Sequence, residues 1–279
     1  MNQSTSSYTN LHTELDADVL CSVSGSGVAT LTLNRIHKHN AFDASVVKTL
    51  SHYLALLKER TDIRILVLNG KGRHFSAGAD LNWMKSMADK SVQENHKDAS
   101  QLANLLAELD SFPAPTIAQV HGSAYGGALG LICCCDIAIA SAESHFCLSE
   151  VRLGLIPATI GPYICRAIGQ RQARRYMLTA ERFNAATARK LGIIHEVRSL
   201  YEETDRLLSH LIEQLLHNSP EALTQAKALC QLCHNREIDE ELRETTSGLI
   251  ADIRVSPNGQ EGLKAFFAKR PPAWSTRHE

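Results

Sequence analysis

One glycine turn and one glutamate combine residue types that could stabilise and move charge. The segment Tyr125–Ala128 contains Gly126 and Gly127, follows an apolar run, and precedes a second apolar run, Leu129–Cys135, that can begin a helix. The pattern predicts a strand, a turn and a helix N-terminus, where free backbone N–H groups and the helix dipole favour a developing oxyanion. Further along the chain, Glu150 stands among apolar or small neighbours, where desolvation would raise its pKa and suit it to proton transfer. Together these residues indicate chemistry through an enolate.

A second turn of small residues, Ser76–Ala79, strengthens this hypothesis. It lies between Arg73 and a predicted helix, Leu81–Met87. Small side chains let a ligand approach the backbone, and the N–H of Ala79 is free to donate at the start of the helix. By itself such a turn is more often a packing feature than a binding site. Beside the Gly126–Gly127 turn it supplies a second donor, because an oxyanion hole needs two N–H groups that converge.

The elements around these turns alternate between strand and helix. Asp18–Val23 and Val28–Leu33 are β-prone runs joined by Ser24–Gly27, which predicts a hairpin. Asp43 is the predicted N-cap of a helix whose apolar residues recur at helical spacing through Lys58. The alternation continues and predicts an α/β fold. The further predicted elements are the strands Ile63–Leu68 and Thr116–Val120 and the helices Ser91–Leu109 and Tyr163–Thr179.

Beyond Val197 the pattern is helical almost to the end of the chain. No strand pattern separates these helices, so they predict an appendage that packs on the core or on a neighbouring subunit. We divide the chain into a polar N-terminal tail (1–16), a core (17–198) and a C-terminal helical region (199–279). The predicted helices of this region are Leu200–Leu216, Pro220–Cys233, Glu237–Ile253 and Gly259–Lys269.

Composition and charge argue against several classes of protein. The chain has 279 residues, of which 44% are hydrophobic, so it can bury a full core. Its formal net charge of −1 gives no field that would collect nucleic acid or an anionic membrane. Residues 1–15 lack Lys, Arg and the apolar stretch of a secretory signal, and no apolar run approaches the length of a membrane span. We therefore expect a cytoplasmic protein without nucleic-acid or membrane partners.

Eight cysteines allow a structural and a chemical interpretation. The run Cys133–Cys135 lies in a segment predicted to be a buried helix, where free cysteine packs as a small hydrophobe. Cys230 and Cys233 form a CxxC followed by His234, which could suggest zinc or redox chemistry, but no second CxxC lies nearby. Structural disulfides are rare in the cytoplasm. We expect all eight cysteines to be structural and expect no metal site.

The chain carries several separate motifs in a fixed order: Asn34–Ala41, Phe75–Asp80, Gly122–Asp136, Glu150 with Leu153–Pro157, Glu261–Gly262, Ala265–Phe266 and Lys269–Arg270. In this order they resemble the enoyl-CoA hydratase/isomerase (crotonase) superfamily, from about Ala17 to Trp274. The resemblance implies a ClpP-like spiral of repeated ββα units with C-terminal helices used in forming a trimer, often paired into a hexamer. It also implies an acyl-CoA thioester substrate and no separate cofactor, because CoA is part of the substrate.

The resemblance assigns roles to matching positions of this chain. The family's two oxyanion-hole N–H groups fall on Ala79 and Gly127, in agreement with the reasoning from the turns. Lys38 and Ala77 match positions that contact the nucleotide half of CoA. Further positions are assigned to substrate binding, two of them at C-terminal sites that reach CoA bound by a neighbouring subunit. These positions are Asp80, Leu81, Gly126, Phe266 and Lys269.

The catalytic pair departs from the standard hydratase pattern. Standard hydratases carry one glutamate in the helix after the glycine turn and a second at the position of Glu150. Here Gly130 occupies the first position, and Asp136 lies too far along the chain to replace it. One glutamate permits two reactions. Glu150 could orient water for addition to Cβ of an α,β-unsaturated thioester and exchange the proton with Cα, or it could shuttle a proton between C2 and C4 as an enoyl-CoA isomerase does.

The fuller pattern favours hydration. Ala79–Lys85 and Phe146–Leu155 resemble the methylglutaconyl-CoA hydratase group of leucine degradation and its isohexenylglutaconyl-CoA hydratase relative. Such substrates carry a distal carboxylate, which Arg152 or Lys85 could bind. A structural ion pair for Arg152 and a solvated Lys85 are equally open alternatives. A non-catalytic acyl-CoA-binding protein is a further alternative, because Gly130 removes one carboxylate.

Overall fold

The computed structural model describes residues 8–10 and 17–275 of the chain. Within these residues the strands are β1 (Tyr8–Asn10), β2 (Val19–Ser24), β3 (Val28–Leu33), β4 (Ile65–Gly70), β5 (Thr116–Val120), β6 (Ser123–Tyr125), β7 (Ile137–Ser141), β8 (His145–Cys147), β9 (Phe183–Asn184) and β10 (Glu196–Arg198). The α-helices are α1 (Ala44–Lys58), α2 (Leu81–Ala88), α3 (Val92–Asp110), α4 (Gly127–Cys134), α5 (Gly161–Thr179), α6 (Ala185–Leu191), α7 (Tyr201–Leu216), α8 (Pro220–Cys233), α9 (Glu240–Val255) and α10 (Pro257–Phe267). Short 3₁₀ helices lie at Ile36–Lys38 and Glu150–Leu153.

Two sheets organise the core. Seven strands form a mixed sheet in the order β1-β2-β3-β4-β5-β7-β10, in which the pairs from β3 to β10 are parallel. A small sheet has the order β6-β8-β9. The chain passes from the large sheet into the small one twice, in the units β5-β6-α4 and β7-β8-α5. The fold is therefore the α/β fold that the sequence pattern predicted, with the spiral of repeated ββα units that the resemblance implied.

Apolar residues cover both faces of the large sheet, as a parallel sheet requires. One face packs against α1, α3 and α4 in a single continuous core. The other face packs against α7, whose Leu211, Leu215 and Leu216 meet Ile65 and Ile117. Both faces of β4 and β5 are thus buried, so these strands form rigid supports for the loops at their C-terminal ends.

Local signals set most helix boundaries. The Asp43 carboxylate accepts from the N–H groups of Ser45 and Val46, which confirms the predicted cap of α1. The bounds of α8 equal the predicted ones. The prediction of a helix from Glu237 is wrong by three residues, because Asp239 is the N-cap of α9. The last helix likewise begins at Pro257 after its cap Ser256, and not at Gly259.

The central stretch differs from its prediction by one strand. The sequence predicted a direct passage from the apolar run ending at Gly122 to the glycine turn, but β6 lies between them. Ser123 and Tyr125 pair with His145 and Cys147, which come from a distant part of the chain. In the segment assigned to the N-terminal tail, Tyr8–Asn10 pairs with β2, and the remaining residues lie outside the described residues. The division into core and C-terminal region stays a prediction.

The cysteines separate into two groups. Six are buried or partly buried: Cys21, Cys133, Cys134, Cys135, Cys147 and Cys165. Cys230 and Cys233 are exposed on α8, and their structural interpretation stays a prediction. In the described part of the chain no group of three or more metal-ligating side chains occurs. Across residues 8–10 and 17–275, no helix is both long and apolar enough to cross a bilayer.

Candidate active site

The two predicted turns are hydrogen-bonded to each other. The N–H of Phe75 donates to the carbonyl of His121 at 2.8 Å, and the N–H of Tyr125 donates to the carbonyl of Ser76 at 3.1 Å. Ser76 also forms a parallel β-bridge with Ala124. The segment that leads to Ala79 and the segment that leads to Gly127 therefore form one small ladder that main-chain hydrogen bonds hold together.

The amide groups of residues 75–80 reveal one free donor. Five of the six N–H groups have an acceptor, which is the carbonyl of His121, Ser123, His39 or Phe42 or the hydroxyl of Ser76. The N–H of Ala79 has no acceptor among the described residues. Ala79 is also partly exposed. A donor left free in a fully bonded turn is the arrangement that an oxyanion hole requires.

The second donor lies at the start of α4. Gly127 is the first residue of this helix, and its N–H has no acceptor within the described residues. The preceding Gly126 has φ of 54° and donates to the carbonyl of Cys147 at 2.9 Å. The two turns touch, because a Cβ placed on Gly78 would lie 2.7 Å from the carbonyl oxygen of Tyr125. The prediction of two convergent turns is thus supported by the geometry.

Glu150 lies beside the same turn. It begins the short helix Glu150–Leu153, and its Oε1 lies 3.2 Å from the position that a Cβ on Gly126 would take. Oε2 is buried and has no hydrogen-bond partner among the described residues. Burial raises the pKa of Glu150 above its usual value, an effect that a backbone hydrogen bond only partly offsets. The predicted direction of this pKa shift is confirmed.

Packing explains the absence of a second carboxylate. A Cβ on Gly130 would lie 2.3 Å from Cγ2 of Ile160 and 3.3 Å from Cδ2 of Leu106. Gly130 is buried in α4, and Ile160 precedes α5. The space in which a side chain at position 130 would begin is therefore filled by Ile160. Glu150 is the carboxylate that this turn retains.

A profile described as enoyl-CoA hydratase/isomerase matches residues 24–277. This chain belongs to the enoyl-CoA hydratase/isomerase family. A solved enoyl-CoA hydratase from Shewanella pealeana is 49% identical, with a TM-score of 0.90 over 93% of this chain and 97% of that chain. The 2,3-dehydroadipyl-CoA hydratase of Escherichia coli is 30% identical over 90% of this chain and 96% of its own length. A peroxisomal Delta(3,5)-Delta(2,4)-dienoyl-CoA isomerase of Arabidopsis thaliana is 28% identical over 90% of this chain and 93% of its own length.

In this hydratase/isomerase, the side chain of Asp80 stabilises the turn that carries the Ala79 donor. Its Oδ1 accepts from the N–H groups of Asn82 and Trp83 and caps α2, while Oδ2 lies 3.5 Å from Arg35 Nη2 and 3.7 Å from Lys38 Nζ. Burial would raise the pKa of Asp80, but these hydrogen bonds and cations outweigh it and hold the pKa below its usual value. The carboxylate of Asp80 is thus occupied within the protein, and its N–H donates to the carbonyl of Phe42. The substrate-binding role assigned to Asp80 stays a prediction.

Arg35 is a structural residue of the site that the sequence analysis did not single out. Besides Asp80, its guanidinium reaches Asp18 at 3.2 Å and Asp43 at 3.0 Å, and it donates to the carbonyl of Ala41. These contacts join the loop before α1 to the turn before α2. Three aspartates that face one arginine from separate loops gave no short-range signal in the sequence.

The structure distributes the other predicted substrate-binding residues over two regions. Ala77 and Leu81 are exposed on either side of the Ala79 donor, and Lys38 is partly exposed. Phe266 is 77% exposed on α10, which packs on α8 and α9, and Lys269 is exposed just after this helix. The predicted contacts of Phe266 and Lys269 with a neighbouring subunit's CoA stay a prediction.

Replacement of Gly130 by alanine should destabilise this hydratase/isomerase. The new methyl group would overlap Ile160, and overpacking of this kind costs about 1–3 kcal/mol of unfolding free energy. In a double-mutant cycle with Ile160→Ala, denaturant unfolding should show that the double variant loses about 1 kcal/mol less than the sum of the single changes. Strict additivity would contradict the packing explanation for the absent carboxylate.

Proposed function

We propose that this protein is an acyl-CoA lyase that adds water across the double bond of an α,β-unsaturated CoA thioester. Its main support is the meeting of two free N–H groups, on Ala79 and Gly127, with a carboxylate whose Oε2 has no hydrogen-bond partner among the described residues. The thioester carbonyl would accept from both donors. As the carbonyl becomes an enolate its charge grows, so each donor binds the intermediate more strongly than the substrate, by about 3 kcal/mol.

Glu150 would carry the proton. As base it takes a proton from water while the water oxygen bonds to Cβ and the π electrons move onto the thioester oxygen as an enolate. As acid it then returns that proton to Cα, so one water is added and the carboxylate is regenerated. Burial of Glu150 favours this exchange, because a raised pKa strengthens the base and brings the acid closer to the operating pH.

The proposed substrate is 3-methylglutaconyl-CoA or a related branched glutaconyl-CoA. Two observations support a substrate with a distal carboxylate. The runs Ala79–Lys85 and Phe146–Leu155 resemble the methylglutaconyl-CoA hydratase group, and the relative in Escherichia coli is named for 2,3-dehydroadipyl-CoA, a thioester of a dicarboxylic acid. The side chain of Lys85 is exposed in the last turn of α2, the helix that begins just after the Ala79 donor.

Isomerisation is the second candidate function. A single glutamate suffices for it, because Glu150 can remove a proton from C2 of a 3-enoyl thioester and return it at C4 of the dienolate. The packed Gly130 and the relative named as a dienoyl-CoA isomerase favour this alternative. A non-catalytic acyl-CoA-binding protein is a third possibility, which the free donors and the unpartnered Glu150 oxygen argue against.

Turnover with three thioesters tests these functions. The purified protein is given 3-methylglutaconyl-CoA, crotonyl-CoA and a 3-enoyl-CoA, and water addition and double-bond migration are followed separately by mass and by absorbance. Preference for the glutaconyl thioester with a gain of water supports the proposed hydratase. Migration without a gain of water supports the isomerase, and binding without turnover of any thioester supports the non-catalytic alternative.

Lys85→Met should separate substrates with and without a distal carboxylate. We expect kcat/KM for the glutaconyl thioester to fall about tenfold or more, the size of a lost charge-assisted hydrogen bond, while kcat/KM for crotonyl-CoA stays within about twofold. Arg152 is the matched comparison, because its Nη2 donates to the carbonyl of Ala180 at 2.6 Å. Arg152→Met should therefore lower both rates equally. Equal losses for Lys85→Met would exclude it as the carboxylate-binding cation.

A trimer or a hexamer is part of this proposal. Phe266 and Phe267 are adjacent on α10 and are 77% and 78% exposed, which is unusual for large apolar side chains unless a partner covers them. Sedimentation equilibrium of the full chain tests the assembly. The cytoplasmic location and the lack of a separate cofactor stay predictions from the sequence.

A further inference from the structure

His74 lies where the two donor-bearing segments meet. It immediately precedes the turn that leads to Ala79, and its ring crosses to the other segment. His74 Nδ1 accepts a hydrogen bond from the N–H of Ser123, the first residue of β6, at 3.1 Å. The ring is closely packed there, because a Cβ placed on Gly122 would lie 2.8 Å from the same nitrogen.

The backbone of His74 is also fixed. Its carbonyl accepts from Nδ2 of Asn40 at 2.8 Å, and the same amide group donates to the carbonyl of Lys71 at 2.8 Å. One residue therefore connects the loop before α1, the turn before α2 and the start of β6. Since β6 is a three-residue strand that ends at Tyr125, only three residues separate Ser123 from the Gly127 donor.

The hydrogen bond defines the state of the ring. Nδ1 can accept only when it carries no proton, so the proton of the neutral ring must lie on Nε2. A second proton would place two donors opposite each other. Burial lowers the pKa of His74 below its usual value of 6.5 and has the largest effect. The nearby charges of His39, Arg73 and His121 lower this pKa further, in that order. His39 meets the ring edge-on with 5.2 Å between centroids.

A cavity of about 800 Å³ includes His74 in its wall. Neither Glu150, Ala79 nor Gly127 is among the residues that line this cavity. The other titratable or charged residues in the wall are Lys71, Arg73, His121, Glu143, His145, Arg182 and Tyr201. Cations outnumber the one carboxylate in this group, which also disfavours a positively charged His74 ring.

We propose that His74, as a neutral ring protonated on Nε2, is a positioning residue that holds β6 against the Ala79 turn and so sets the separation of the two oxyanion donors. This inference rests on the proposed function. Loss of the acceptor frees the N–H of Ser123 and lets the Gly127 donor move relative to Ala79. Displacements well below 1 Å are enough to weaken a hole whose donors must meet one oxygen atom.

Two replacements of His74 test this role. Asn places an amide oxygen close to the position of Nδ1 and keeps the acceptor, whereas Leu removes it. On crotonyl-CoA, or on whichever thioester the native enzyme converts fastest, we expect His74→Leu to lower kcat on the order of tenfold with KM within about twofold. His74→Asn should retain most of kcat. His145→Leu is the control, because His145 lines the same cavity and is exposed, and it should leave kcat unchanged.

The pH dependence gives a second measurement. Since the folded-state pKa of His74 is lowered, the native contact is complete above about pH 6.5 and is lost as the pH falls through the lower folded value. The acidic decline of kcat should therefore become shallower in His74→Asn, which cannot be protonated, and should leave only the titration of Glu150. An unchanged profile, or equal losses of kcat in the Asn and Leu variants, would overturn the role.

Nitrogen NMR of the native protein keeps the inference testable if His74→Leu does not fold or if no thioester is converted. Assigned by comparison with His74→Asn, the ring should show an unprotonated Nδ1 and a protonated Nε2 at neutral pH. The opposite tautomer or a doubly protonated ring would overturn the proposal. Failure of all turnover with the expected tautomer would count against the proposed function but would uphold the contact between His74 and β6.

Discussion

Glu150→Gln is expected to abolish most turnover while leaving the fold and thioester binding intact. The amide cannot exchange the proton that Glu150 carries, so kcat should fall on the order of 10²–10⁴-fold for either hydration or isomerisation. KM should change little, because both free N–H donors stay in place. Steady-state kinetics on the preferred thioester measures the loss, and fluorescence titration with a saturated acyl-CoA measures the binding. The control is Glu143→Gln, an exposed carboxylate away from the turn, which should leave kcat unchanged.

The same substitution should stabilise the protein at neutral pH. The raised pKa means that the folded state resists ionisation of Glu150, whereas the unfolded chain ionises near pH 4.5. The contribution of Glu150 to native stability is therefore most favourable below pH 4.5 and is lost as the pH rises through the folded value. Because Gln does not ionise, the Tm of Glu150→Gln should equal that of the native protein in acid and exceed it at neutral pH. A Tm that falls at neutral pH would show that the carboxylate is well solvated or paired.

Gly78→Ala is expected to have the second-largest effect on activity. Gly78 has φ of 91°, and the added methyl group would lie 2.7 Å from the carbonyl oxygen of Tyr125. The methyl group would push the two turns apart, and loss of one oxyanion donor costs about 10²–10³ in kcat. The strained backbone should also cost about 1–3 kcal/mol of unfolding free energy.

Gly248→Ala is the matched control for this change. Gly248 lies within α9, and a Cβ there would meet nothing within 4 Å. Alanine should therefore leave kcat unchanged and stabilise the helix by about 1 kcal/mol. If Gly78→Ala kept more than about half of the native kcat, contact between the turns would not control the position of the donors.

The sequence predicted what depends on nearby residues. The hairpin of β2 and β3, the Asp43 cap and the Pro220 start of α8 each rest on signals within a few positions, and all three are confirmed. The direction of the Glu150 pKa shift was also predicted, and its cause is burial. The donors on Ala79 and Gly127 followed from small residues at helix starts.

The remaining features depend on contacts between distant segments. Strand β6 is too short to carry a pattern and exists because β8 pairs with it. Ile160, just before α5, fills the space beside Gly130 of α4. Arg35 forms ion pairs with aspartates from three separate loops. Such features follow from tertiary packing, which one sequence does not specify locally.

The main-chain ladder between the two turns has an evolutionary consequence. Because glycine conformations, backbone hydrogen bonds and the contact of His74 with β6 set the spacing of the donors, the exposed side chains near the hole can be exchanged without moving it. Leu81 and Lys85 on α2 and Leu153, Leu155 and Ile156 after Glu150 are all exposed and have room to vary. Enzymes descended from this scaffold can therefore come to accept substrates with different acyl groups through surface substitutions. The two donors and Glu150 stay unchanged meanwhile.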